Sequence, residues 1–353
     1  MNKKQFLDEL RLELSKAHFD KTDEAVKFFE EMLLDRAEEE KITEDEAAQM
    51  MPNPKEAARQ ILSDENVAQR SFFCKDADRA DDLEKAVRIT KTVKTDGIYK
   101  IGVLTSNTGI NVQTYSGEDI KISYTEYPDE DIQYDFSVEN GEIILRKNRQ
   151  RSSFYKFLSF RGSSPVEVLV PREITAKCSF ETSNAKIEVD GLKVWGEIKT
   201  KTSNASTTVK SIEASHIDIK TSNGKIKAKE LKIYGNACCK SSNASIDLSG
   251  IDCLELYANT SNGKIKAENI KADEKFKLST SNGSIEIDNI KSAYIDLATS
   301  QGSIKGRIEG SMKEYSIMSS TSLGKSNLPL RKNDGDKKLK AATSMGNINI
   351  DFS

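Results

Sequence analysis

Catalysis needs side chains that exchange protons or attack bonds, and this chain offers few that could act together. Its two histidines are His18 and His216, so a Ser-His-Asp site would have to use one of them. His216 directly precedes Ile217, which an alternating apolar pattern turns inward, so the imidazole should face solvent. Cleavage of acidic polysaccharides would need clustered carboxylates to hold Ca²⁺ beside a basic residue. The outward positions instead mix signs, as in Glu188, Lys227, Asp247, Lys266, Glu286 and Lys305. The five cysteines, Cys74, Cys178, Cys238, Cys239 and Cys253, contain no C-x-x-C pair, so neither a zinc site nor a disulfide framework is indicated. The expectation is a protein that is not an enzyme, with no catalytic residue, no metal and no cofactor.

Binding chemistry is better represented. Residues 146–161, RKNRQRSSFYKFLSFR, interleave Arg146, Lys147, Arg149 and Arg151 with Phe154, Tyr155, Phe157 and Phe160. Basic and aromatic side chains in one loop can dock on an anionic membrane surface or a protein partner. Alternatively, the same rings strap over the flank of the fold.

The elements that position these residues come from a repeat. Thr-Ser-Asn followed by Ala or Gly starts at Thr182, Thr202, Thr221, Thr260 and Thr280, and variants start at Ser241, Thr299, Thr321 and Thr343. Successive starts are 20, 19, 20, 19, 20, 19, 22 and 22 residues apart. A fixed period near twenty marks a solenoid whose coils stack one on another. Counted from each Thr, apolar residues fall in pairs before and after the motif, such as Ile217/Ile219, Ile226/Ala228 and Leu231/Ile233. Each pair has the period-two spacing of a short strand with one inward face. Three strands per coil predict three parallel sheets around a narrow core, a parallel β-helix, with the crossover rule favouring a right hand.

The Asn of each motif should do structural work. Asn107, Asn184, Asn204, Asn223, Asn243, Asn262 and Asn282 can form a hydrogen-bonded ladder along the axis. Asn and Gly there are also expected to supply a left-handed corner. Gln301, Leu323 and Met345 replace Asn in the last coils, so the ladder should weaken there. A second period of 39 relates TSNGKIKAKELKI at 221 to TSNGKIKAENIKA at 260, which points to duplication of a pair of coils. Asn347 to Phe352 reads as a last strand with no cap, an open edge that could pair with a second copy.

Ahead of the repeat the periodicity is helical. Phe6, Leu10 and Leu14 share one face, as do Val26, Phe29 and Leu33. Thr43 and Glu46 form a capping box, and Asn53-Pro54 opens a further helix. The predicted class is α+β multidomain. A helical domain spans 1–62, a charged helical linker 63–96, an irregular β cap with a first coil 97–170, and the parallel β-helix 171–353. Residues 1–95 carry a net charge of −6 and the remainder +3, too even for nucleic acid.

Two resemblances follow from these motifs. KKQFLDELRLEL, FFEEMLLDRAEEEKITEDEAAQMM and PNPKEAARQIL make residues 1–62 similar to the HAAS signalling domain of bacterial envelope proteins, although Met51-Pro52 stands where that family usually has Gly. IYKIGVLTSNTGINV, VEVLVPREITAKCSFETSNAKIEVDGL and the TSNG coils make residues 97–353 resemble the bacterial putative-adhesin β-helix family, a domain of largely unknown function. The combination implies a non-enzymatic scaffold or regulator in cell-envelope stress signalling, binding protein partners through the helical head or touching the inner membrane face. The alternative is a surface adhesin or glycan-binding protein; a polysaccharide-acting enzyme ranks below both. No stretch approaches the roughly 20 apolar residues of a membrane helix, and the N-terminus lacks a signal-peptide apolar core. The expected location is cytoplasmic, with peripheral contact at the inner membrane face.

Overall fold

Alternation of apolar and polar residues repeats down the chain until it closes on itself, and the computed structural model shows the result. It describes residues 1–17, 19, 22–40, 42–51, 53–59, 61–62, 87–126, 132–149 and 164–353. These fall into two compact bodies, a helical one before residue 87 and a β body after it.

The helical body holds α1 (Lys3–Lys16), α2 (Thr22–Glu40), α3 (Glu44–Gln49) and a further helical stretch over 54–59. Asn2 caps α1 reciprocally with Gln5, and Thr43 does the same for α3 with Glu46. Phe6, Leu10, Leu14, Val26, Phe29, Leu33, Ala57 and Ala58 make a buried core. Phe6 and Phe29 meet at 5.7 Å between ring centroids.

The β body begins with β1 (Val87–Lys94), β2 (Lys100–Leu104), β3 (Ile110–Tyr115), β4 (Asp119–Glu126), β5 (Ile132–Glu139), β6 (Glu142–Arg149), β7 (Val166–Pro171) and β8 (Glu173–Ile174). β1 corrects the last part of the expected helical linker, because Val87, Ile89 and Val93 alternate with polar residues and the strand pairs antiparallel with β4; residues 63–86 of that linker lie outside the described residues. The regular coils follow as β9 (Lys177–Thr182), β10 (Ile187–Asp190), β11 (Lys193–Thr202), β12 (Thr207–Thr221), β13 (Ile226–Lys240), β14 (Ile246–Asn259), β15 (Ile265–Ser279) and β16 (Ile285–Ala298). The chain closes with β17 (Ile304–Ile308), β18 (Tyr315–Thr321), β19 (Arg331–Lys332), β20 (Lys337–Thr343) and β21 (Ile348–Phe352).

From β12 to β16 the three expected short strands run together into one bent strand of 14 or 15 residues, broken only at the Thr-Ser-Asn corner. Coils stack in parallel register, so Ile226 pairs with Ile246 and Ile246 with Ile265. The inward residues form one continuous core in which Phe180, Ile226, Ile246, Ile265 and Phe276 are fully buried.

The corner chemistry is divided differently from the expectation. Left-handed residues do recur once per coil, but after the first strand segment: Gly191, Ser211, Glu230, Gly250, Asn269 and Asn289. The Asn and Gly of the Thr-Ser-Asn motifs have ordinary φ. Gly263 is required by proximity instead, since a Cβ there would sit 1.9 Å from the carbonyl oxygen of Ala244 on the neighbouring coil.

Both ends break the sequential order of stacking. At the N-terminal end β2 lies between β6 and β9, and β3 between β7 and β10. At the other end β20 is inserted between β16 and β18, and β19 closes antiparallel on β18. The final strand is therefore not an open edge. Asn327 covers it, with its Nδ2 donating to the Ile350 carbonyl at 3.0 Å and its Oδ1 accepting from the Ile350 amide at 3.0 Å.

Candidate binding surface on the solenoid flank

The alternation of 20- and 19-residue coils has a single structural cause. Where Val194 pairs with Ala214 and Glu197 with His216, the longer coil passes Trp195-Gly196 opposite the lone Ser215. The next long coil does the same with Tyr234-Gly235. The extra residue leaves the flank and carries an aromatic side chain with it. Ser215 Oγ fixes the bulge by donating to the Trp195 carbonyl at 3.0 Å. The following glycines allow close approach: a Cβ on Gly196 would meet the Ala176 carbonyl oxygen at 2.3 Å, and one on Gly235 the His216 ring at 2.5 Å.

Trp195, the only tryptophan, and Tyr234 lean together across the short coil, with centroids 5.8 Å apart and planes 16° from parallel. They are 46% and 48% exposed, and Leu254 extends the apolar strip at 37%. Charged groups rim them. Trp195 Nε1 donates to Glu173, and the Tyr234 hydroxyl donates to Glu213. Lys193 Nζ lies 4.9 Å from the Trp195 centroid and Lys232 Nζ 5.1 Å from that of Tyr234. The Tyr234 hydroxyl and the nearby lysines hold the Glu213 carboxyl below its usual range. Exposed aromatic area inside a rim of hydrogen-bonding charges suits recognition, because rings bury much area at little entropic cost. Sequence reasoning missed this strip; the signal was the Trp-Gly and Tyr-Gly pairs 39 residues apart.

The expected binding residues are placed differently. Arg146, Lys147 and Arg149 lie on β6, not on a loop. Lys147 is held inward, donating to Thr108 Oγ1 at 2.7 Å and standing 5.5 Å from the Tyr134 centroid. Arg151, Phe154, Tyr155, Phe157 and Phe160 lie outside the described residues, as do His18 and Cys74.

The Asn side chains form an unbroken ladder. Nδ2 of Asn184 donates to Asn107 Oδ1 at 2.8 Å, and Asn204, Asn223, Asn243, Asn262 and Asn282 each donate to the preceding Asn at 2.5–2.7 Å. Beneath it the motif Thr hydroxyls are buried and bond to carbonyls of the neighbouring coil, as Thr280 Oγ1 does to Gly263 at 3.0 Å. Every ladder amide is thereby engaged by another Asn, which makes the row structural.

Among the described residues no group of three or more His, Cys, Asp and Glu could hold a metal ion, and no helix is long and apolar enough to cross a membrane. Burial raises the thiols of Cys178 and Cys253 to about 12 and that of Cys239 further. Further along the same flank, in register with Lys193, Glu213 and Lys232, a shallow depression is lined by Asp252, Lys271, Lys291 and Glu309. Its charges are already matched, with Lys271 3.4 Å from Asp252 and Lys291 2.8 Å from Glu309.

Solved structures similar to this chain include putative adhesins. A putative adhesin from Parabacteroides merdae is 16% identical over 75% of this chain and 96% of its own, with a TM-score of 0.40. One from Bacteroides fragilis is 14% identical over 76% and 97%, with a TM-score of 0.31. A putative cell adhesion protein from Clostridium sporogenes is 12% identical over 76% and 100%, with a TM-score of 0.21. No curated protein matches the sequence. The Toastrack DUF4097 family model matches residues 98–350, most of the sequence and all of the regular coils, and the chain belongs to that family.

Proposed function

We propose that this protein is a non-enzymatic recognition scaffold whose β-solenoid presents the Trp195–Tyr234 strip to a ligand. The observation that carries this reading is the strip itself: two stacked, half-exposed rings, set out by a dedicated bulge and rimmed by Glu173, Lys193, Glu213 and Lys232. Such a surface suits a surface adhesin or a glycan-binding protein. The C–H face of a sugar can lie against ring edges and faces while its hydroxyls bond to carboxylates and ammonium groups.

Because Trp195 is the only tryptophan, its fluorescence reports occupancy directly. Titration with bacterial and host oligosaccharides should shift the emission of the intact protein. Tyr234→Ala should weaken the interaction by roughly tenfold, a typical effect for an interface aromatic. A panel of sugars that leaves the emission unchanged counts against the glycan reading.

A second reading draws on the helical body. Its HAAS-like sequence suits a module that engages protein partners in envelope-stress signalling on the cytoplasmic side, with the 146–161 segment touching the inner membrane face. Protease treatment of intact cells separates the two. Digestion of the solenoid favours the adhesin reading, and protection favours the signalling one.

A further inference from the structure

The two outermost coils at the C-terminal end depart from the rest of the solenoid in both polarity and charge. Leu323 and Met345 stand at the corner positions that Asn fills in the ladder, and they are 77% and 59% exposed. They lie on adjacent coils, since the Leu323 amide donates to the Ser344 carbonyl at 2.9 Å. Leu330 is 75% exposed and Met318 54%. Met318 sits between two cations, in register with Lys340 of β20 on one side and Arg331 of β19 on the other.

The charge is equally one-sided. Residues 311–353 hold seven Lys and Arg against four Asp and Glu, a net charge of +3. Two of the carboxylates are spent on local ion pairs, Asp334 with Lys332 at 2.6 Å and Glu314 with Lys337 at 2.7 Å. Asp351 accepts from Asn327 at 3.4 Å, which leaves Asp336 as the remaining acid. Lys313, Lys325, Arg331, Lys338 and Lys340 form no ion pair among the described residues.

We infer that this tip is a docking surface for an anionic lipid bilayer. Protruding Leu and Met side chains enter the boundary between headgroups and acyl chains, and the surrounding unpaired cations meet acidic headgroups. Charge decides among occupants. A net positive patch opposes a second copy docking tip to tip and matches a negative lipid surface. The inference is independent of the Trp195 strip, which lies on the regular coils.

The test is cosedimentation of the full chain with phosphatidylcholine vesicles, with and without phosphatidylglycerol. Wild type should bind the anionic vesicles and lose most of that binding in high salt. The Leu323→Ser/Leu330→Ser variant should bind roughly tenfold or more weakly, because each exposed Leu loses its transfer into the boundary. The Arg331→Glu/Lys340→Glu variant should lose the preference for phosphatidylglycerol. These side chains are exposed, so thermal melts should match wild type. The inference fails if wild type ignores both vesicles or if both variants bind as wild type does. It also fails if light scattering shows lipid-independent self-association that the leucine variant abolishes.

Discussion

The middle and the C-terminal end of the solenoid obey different rules. From Thr182 to Ile308 each coil rests on the one before it, Asn bonds to Asn along one edge, and most outward lysines pair with neighbouring carboxylates. After residue 311 the stacking order is interchanged, Leu and Met take the Asn places, and cations go unpaired. The contrast teaches that a repeat extends itself by sameness and must stop by violating it. A coil that repeated faithfully would expose a strand edge ready for another chain. Here β18 is outermost, with β19 laid antiparallel across it.

Substitutions can break or sharpen that contrast. The largest effect belongs to the middle: Phe276→Ala should cost about 3–5 kcal/mol, read by chemical denaturation, because Phe276 is fully buried between coils. The matching change at the end, Leu323→Ala, should leave stability within about 0.5 kcal/mol. Gly263→Ala should cost about 1–3 kcal/mol, since the new Cβ forces two coils apart; a melt equal to wild type would contradict the close approach. Asn243→Ala removes one ladder bond to Asn223 and one from Asn262, worth about 1–2 kcal/mol together at this exposed edge. Gln301→Asn would carry the ladder one coil further and should gain about 0.5–1 kcal/mol, measurable as a raised Tm.

The smallest effect is one of pH. Glu286 is bonded by Lys264 at 2.5 Å and Lys305 at 2.9 Å, which lowers its carboxyl below the ordinary range. A lowered folded-state pKa means stability that is present above the unfolded carboxylate pKa and lost as pH falls through the folded one. Glu286→Gln should therefore lower neutral stability by less than about 1 kcal/mol and change acid stability little, which flattens the acid limb of the stability curve. The partner pair Lys225 and Asp247, at 2.5 Å and 39 residues earlier, repeats the same diagonal bridge and offers a control.

The regular coils were legible because every inward position repeats, so Ile226, Ile246 and Ile265 state the register between them. The capping boxes at Thr43 and the N-cap at Asn53 were legible for a different reason, since caps are local chemistry. The ends were not, because inserting β2 between β6 and β9 depends on contacts far apart in sequence. β1 was obscured by Arg88, Lys91 and Lys94, which made an exposed strand look like a charged helix. The hairpin turn at Asn140-Gly141, with φ of 49° and 76°, is local chemistry of the same kind as the caps, an Asn-Gly pair that takes the left-handed backbone a tight turn demands. The aromatic strip was hidden by its own spacing: Trp195 and Tyr234 are neighbours only once the short coil between them is known to lack a residue.

The bulge that sets those rings outward also limits how such a protein can change length. Gaining a lone coil would put two long corners or two short ones side by side and throw the diagonal bridges out of phase. Growth by whole pairs keeps both in step and lengthens the rod by about two strand spacings, roughly 9.6 Å. Descendants of this chain should therefore differ from it in even numbers of turns.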